Sequence, residues 1–291
     1  MTMSALRLHR NCLGFEVHDG DRLVTLYRAT EELARRESPK PCFHPIYTPS
    51  GILITEYRPA DHLWHTGLYF GWVHANEANL WGGPWYLPET GKYEHVEKSH
   101  GVQRHDAFAD ERVDQTGISI KERLTWLDQA DRPMASEVRA YTFRRLTDRS
   151  GYFWTIETEI RPAGDKLRMA SSQAPARYSG LELRMGPPFA DALHRSSEGL
   201  VGHEKTMHQK ARWVCAAGAT GGAVIMMDHP QNLRHPVTYF TRKNLLGAGL
   251  LMEGPIALKR GEALKLRYGF AILDREPPVN EIEDLYKKEM S

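Results

Sequence analysis

Between Pro41 and Trp81 the chain reads PCFHPIYTPSGILITEYRPADHLWHTGLYFGWVHANEANLW. Its later part decides the fold. From Gly67 to Val73 the residues alternate, with Leu68, Phe70 and Trp72 on one face and Gly67, Tyr69 and Gly71 on the other. That is the two-residue period of a β-strand with one buried side. The same stretch holds His44, His62, His65 and His74, four of the fourteen histidines. A second polar knot, Asp228-His-Pro-Gln-Asn-Leu-Arg-His235-Pro236, answers it late in the chain. The two knots are expected to wall one polar site on a β-scaffold.

Working outward, short β-like runs dominate. Leu13 to Val17 and Arg22 to Tyr27 flank the turn signal Asp19-Gly20-Asp21. Glu31 to Arg36 reads as one helical turn, with Glu31 and Arg35 four apart, or as a charged loop. From Trp81 to Phe108 no period is sustained. Ile118 to Leu127, Val138 to Leu146 and Tyr152 to Ile160 then alternate across the turns Asp131-Arg132-Pro133 and Asp148-Arg149-Ser150-Gly151, the pattern of an antiparallel meander. Leu181 to Met185, Arg212 to Ala216, Ala223 to Met227, Gly249 to Met252 and Leu264 to Leu273 continue the β-like series. One helix is expected at the end, where Asn280 and Glu283 have capping-box spacing and Val279, Ile282, Leu285 and Tyr286 line one side. Nothing splits the chain, so residues 1–291 read as one all-β domain: two large antiparallel sheets packed face to face, with a short C-terminal helix.

Composition narrows the partners. Seven Trp, twelve Tyr and nine Phe in a 291-residue chain that is 41% hydrophobic supply a sizeable core. A net charge of +1 with interspersed signs argues against a nucleic-acid or anionic-membrane surface. No apolar run approaches the length of a membrane span, and the start lacks a secretory signal. Cys12, Cys42 and Cys215 are odd in number and unclustered, as in reduced thiols of a cytoplasmic protein. P-loop, dinucleotide-fold, HExxH and GxSxG motifs are absent from the sequence.

Several residues are candidates for chemistry. His62 and His65, three apart, diverge in a strand but converge in a turn. Tyr69 between two glycines forms an aromatic plate, suited to a sugar face or to close sheet packing. Asp228, His229, Asn232 and His235 together supply acceptors, donors and imidazoles; a solvated Asx turn is the plainer alternative. His44, His229 and His235 each precede proline, which favours extended backbone. Glu182 and Arg184 share one strand face: facing a concave sheet they make a base and an oxyanion clamp, facing solvent an ordinary ion pair. Arg58 serves as a second clamp or a surface ion pair. Trp81, Trp85 and Tyr86 beside Gly82-Gly83-Pro84 form a stacking loop or core packing.

The run FHPIYTPSG, then DHLWHTGLYFGW and the aromatic Trp81, with Asp228, His229, Pro230, Asn232, His235 and Pro236, resembles a bacterial family labelled methane oxygenase PmoA-like. The resemblance extends over most of the chain, including Gly180 to Arg184 and the Gly261-Glu262 and Arg267-Tyr268 segment. It departs at Leu63-Trp64, where Pro-His is usual, and at Thr66, where Arg is usual. The resemblance implies a galactose-mutarotase-like β-supersandwich that binds a carbohydrate on a concave sheet and uses histidine with a carboxylate.

The resulting expectation is acid–base processing of a sugar, keto sugar or glycoside by epimerisation, elimination or hydrolysis. His65 or His229 would donate a proton, Glu182 or Asp228 would accept one, and Arg184 would hold negative charge. His62, Asn232, His235, Arg58, Tyr69, His44 and Trp81 complete the expected substrate contacts. A divalent metal (Zn, Mn or Fe) among His62, His65, Glu182 and His229 is a further expectation. A non-catalytic sugar sensor and a metal-dependent oxygenase, or its accessory, are the alternatives. Oligomerisation stays open.

Overall fold

Alternating apolar strands bury one face each only by pairing sheet against sheet, and the chain does this twice over. The computed structural model describes residues 6–147, 150–175 and 177–291. Its first sheet runs, in spatial order, Leu6–Arg10, Gly14–Asp19, Arg22–Arg28, Cys42–Ile46, Leu68–Ala75, Gly180–Arg184, Leu245–Ala248 and Tyr239–Arg242, with three short strands branching from this path. The second runs Leu193–Ser196, Trp213–Ala217, Ala223–Asp228, Leu264–Leu273, Gly151–Pro162, Pro133–Arg145, Gly117–Leu127 and Val102–Asp114. Neighbours in both paths pair antiparallel. The expected all-β sandwich is therefore the observed one.

Leu68, Phe70 and Trp72 point into the shared core as their alternation predicts. Trp72 meets Trp126 of the other sheet at 5.7 Å between centroids, and Phe43 meets Trp154 at 5.6 Å. Each large side chain buried this way contributes about 2–3 kcal/mol relative to exposure. Polar ties cross the same interface. Tyr27 of the first sheet donates to Glu122 of the second, which also accepts from Tyr141 and contacts His105. Ala223 to Met227 lacks alternation because both its faces are covered. Val224 and Met226 enter the main core, while Ile225 and Met227 pack under the C-terminal helix Val279–Glu289.

Some expectations need correction. Gly249 to Met252 is not a strand: the strand is Leu245–Ala248, and Leu250–Glu253 is a 3-10 turn. The capping box does not form, because Pro278 is the N-cap, Asn280 falls inside the helix, and Glu283 instead accepts from Arg212 and Trp213. Val279 is 50% exposed, so it leaves the apolar stripe that Ile282, Leu285 and Tyr286 form. Arg35 reaches Asp131 rather than Glu31, which pairs with Arg28. The unreadable Trp81 to Phe108 segment contains the hairpin Trp85–Leu87 with Lys92–Glu94, then the start of the long edge strand Val102–Asp114. The expected turn at Asp148-Arg149 lies outside the described residues. No helix among the described residues is long and apolar enough to cross a membrane.

Candidate functional site

Strand alternation settles where Glu182 points. Leu181, Leu183 and Met185 are in the core, so Glu182 and Arg184 project from the outer face of the first sheet. Register sets Glu182 between Tyr69 on one side and Gly247 on the other. A Cβ on Gly247 would stand 2.7 Å from Glu182 Oε1, so the bare backbone there is what lets the carboxyl lie across the neighbouring strand. One step along the sheet, Arg184 and Arg242 both face Leu245 in register and flank it on the same side.

The loop before Leu68–Ala75 brings the first two histidines to this face. His62 N donates to Pro59 O and His65 N to His62 O, each at 2.9 Å. Turn spacing thus replaces strand spacing, and the imidazoles stack with centroids 4.8 Å apart. Asp61 lies 2.9 Å from His62 Nδ1. Trp81 lies over Gly71, where a Cβ would meet its ring at 2.5 Å, and its centroid is 5.8 Å from Tyr69. The bare backbone beside Tyr69 therefore receives a protein ring, the close-packing alternative of the sequence reading.

Together these elements enclose a cavity of about 510 Å³, walled by Trp64, Trp81, Tyr93, Tyr178 and Phe240, with His62, His65, Arg184, Arg242 and Asn244 at its polar positions. Tyr69 and Glu182 sit beneath, 2% and 1% exposed. Among the described residues His65 Nδ1, Tyr69 Oη and Glu182 Oε2 are buried without a hydrogen-bond partner. Each such atom costs about 1–3 kcal/mol unless something completes it. Burial pushes the Glu182 carboxyl well above the usual carboxylate range, against the opposing pull of Arg184. Burial first, then the nearby charges of His62, Arg184 and Lys40, hold His65 well below the usual imidazole range.

Lys40 is the residue sequence reasoning missed. It is 6% exposed, and its Nζ donates to Trp64 O at 3.1 Å, Trp81 O at 2.8 Å, and Glu37 O and Ser38 O at 3.3 Å each. The ammonium lies 4.8 Å from the centre of the Tyr69 ring, a cation–π contact. Burial lowers its pKa to about 7. The only sequence signal was a lysine between two prolines, Pro39 and Pro41. Arg242 and Asn244 were missed as well; they belong to a tight turn between Tyr239–Arg242 and Leu245–Ala248.

The late knot is elsewhere. Asp228 ends its strand in the second sheet and is fully buried. Its Oδ2 accepts from the Val237 amide at 2.9 Å and lies 2.7 Å from His235 Nδ1, while Oδ1 accepts from Asn232 Nδ2 at 2.7 Å. Asn232 in turn bridges both backbone groups of Arg267. Burial raises the Asp228 pKa, partly countered by these hydrogen bonds. His229 and Asn232 line a different, more polar depression with Lys121, Glu157, Glu159 and Arg267. The expectation that Asp228, His229, Asn232 and His235 share one site with His62, His65 and Glu182 is corrected accordingly. The knot's hydrogen bonds close a loop onto the second sheet.

Two more expected contacts are engaged otherwise. Arg58 makes a paired contact with Glu37 at 2.7 and 2.9 Å. His44 Nδ1 is 2.9 Å from Thr55 Oγ1, its ring stacks on Tyr57, and burial lowers its pKa to about 4. Trp85 hydrogen-bonds Ser99 and packs on His74. The metal set His62, His65, Glu182 and His229 is not assembled either, since His229 belongs to the other depression. Among the described residues no group of three or more His, Cys, Asp or Glu is placed to hold a metal ion.

Fold and site define a two-sheet β-sandwich with an aromatic-walled cavity on the outer face of one sheet. Residues 15–287 match the family of unknown function DUF6807, and the chain belongs to that family. No curated protein matches the chain. Among solved structures it is similar to the GH36 alpha-galactosidase AgaA from Geobacillus stearothermophilus, at 12% identity and a TM-score of 0.41, over 93% of this chain and 41% of that one. It is also similar to the alpha-N-acetylgalactosaminidase NagBb from Bifidobacterium bifidum, at 9% identity and a TM-score of 0.36, over 99% of this chain and 38% of that one. The chain thus spans about two fifths of the length of these proteins.

Proposed function

We propose that the outer-face cavity binds a carbohydrate ring and processes it by proton transfer between His65 and Glu182. The observation that carries this reading is an aromatic-walled cavity lined by His65, whose Nδ1 is buried and unpaired, next to Tyr69 and Glu182, whose Oη and Oε2 are buried and unpaired just outside its lining. Aromatic faces suit the apolar side of a sugar ring, and unpaired polar atoms suit its hydroxyls. A volume of about 510 Å³ lies within the usual range for small-molecule sites. Burial raises the Glu182 pKa, which favours the protonated form a donor needs, and lowers that of His65, which favours the neutral form an acceptor needs. That assignment reverses the one residue types alone suggested.

Glu182 is 1% exposed, and this favours a second reading, a binding module without turnover. NMR turnover assays over a panel of sugars, keto sugars and glycosides separate the two. Turnover by the wild type that His65→Ala and Glu182→Gln each abolish, with the fold retained, supports catalysis. Tight sugar binding without turnover supports the sensor. Retention of full rates by both variants on a genuine substrate refutes the assignment of these residues.

A further inference from the structure

Among the described residues the lining of the cavity carries cationic but no anionic side chains, while Glu56 pairs with Arg184 and Asp61 with His62 outside that lining. The two arginines of the lining are Arg184 and Arg242. They flank Leu245 in register on the same side of three adjacent strands, so their backbones stand about 10 Å apart, two strand spacings. Both side chains line the cavity, one from each side of Leu245.

Their partners differ. Arg184 donates through Nε to Glu56 at 3.0 Å, so its charge is already matched and its direction fixed. Arg242 has no carboxylate partner among the described contacts; its guanidinium carbon lies 5.6 Å from the Phe240 ring centre, over a wall of the cavity. Asn244, two residues on in the same turn, brings an amide to the same rim. Beside them, burial raises the Glu182 pKa, which favours its uncharged form. Arg242 is exposed, so with a neutral sugar water alone answers its charge. An anionic group would answer it with two-pronged hydrogen bonds.

We infer that the ligand of this cavity is an acidic sugar, with its carboxylate or phosphate held between Arg184 and Arg242 and its ring against the aromatic wall. The inference rests on the carbohydrate reading above and adds the charge of the substrate. Both anion types offer a pair of charged oxygens to the two parallel N–H groups of a guanidinium fork, and the binding panel separates them.

The test is calorimetric titration of the full chain with glucose, glucuronate, gluconate and glucose 6-phosphate, beside acetate and inorganic phosphate, at low and at moderate salt. At least one acidic sugar is expected to bind about tenfold or more tighter than glucose, the scale of one charge-assisted contact. The preference should weaken with salt and collapse in Arg242→Gln, whose site is exposed enough to keep the fold. Arg242→Glu should reverse it. Equal binding of glucose and every acidic sugar overturns the inference while leaving the carbohydrate reading standing. Acetate or phosphate binding as tightly as any acidic sugar, and lost in Arg242→Gln, keeps the anion clamp and removes the sugar. No binding by any of the panel overturns both.

Discussion

Replacing Lys40 with methionine should change the pH dependence of stability in a way no other substitution at this cavity would. Lys40 is buried, and its pKa falls from 10.5 to about 7. Between those values the unfolded chain still holds the proton that the folded chain has released. Stability therefore rises with pH through that window, at about 1.4 kcal/mol per pH unit. Below pH 7 both states are protonated and the slope disappears; the whole gap corresponds to roughly 5 kcal/mol. Lys40→Met lacks the titration but keeps most of the apolar stem. Urea unfolding of both proteins at several pH values gives the difference directly, because every other titrating group cancels to first order. Wild type should gain on the variant by roughly 2.5 kcal/mol between pH 7.5 and pH 9.5. Parallel profiles would refute the argument. They would mean that the four carbonyls around Nζ hold the ammonium as firmly as water does.

Glu182→Gln should stabilise the protein at neutral pH, because the raised carboxyl pKa makes the folded state the better proton binder above about 4.5; the advantage should vanish as pH falls to that value, read by thermal unfolding across pH. Gly247→Ala should push the Glu182 carboxyl aside, costing about 1–3 kcal/mol in denaturant unfolding and lowering turnover or ligand affinity. Asp228→Ala should cost about 3–5 kcal/mol, since it strands the Val237 amide, Asn232 and His235 in a buried setting, yet leave ligand affinity at the outer-face cavity unchanged. A loss of affinity in that last variant, at intact fold, would return the late knot to the binding site.

The sandwich was legible because most strands carry a period of two. Ile120, Leu124 and Trp126, or Phe70 and Trp72, need only their own spacing to be placed. His62, His65, Trp81 and Arg184 were also legible as neighbours, since a turn before a strand was the one geometry that lets two imidazoles three apart converge. The late knot misled because the residues that hold a loop shut with hydrogen bonds are the types that perform acid–base chemistry. Asp228 and Glu182 look alike in a string of letters; only their partners distinguish them. Asp228 spends its oxygens on Asn232, His235 and Val237, while Glu182 Oε2 has no partner among the described residues. Lys40 was invisible for the opposite reason. A lysine beside two prolines reads as solvated loop, and nothing local announces the carbonyls of Trp64 and Trp81, which arrive from later segments.

Trp64 and Trp81 are two of seven tryptophans, and both face the cavity, whereas Trp72, Trp126, Trp154 and Trp213 are sealed inside the protein. The cavity therefore carries its own optical reporter. A molecule that settles there displaces water from Trp64 and packs beside Trp81, while the four interior indoles and Trp85 lie outside the lining, so occupancy can be followed by intrinsic fluorescence without any label. Collisional quenchers such as iodide should reach Trp64 when the cavity is empty and lose it as the cavity fills.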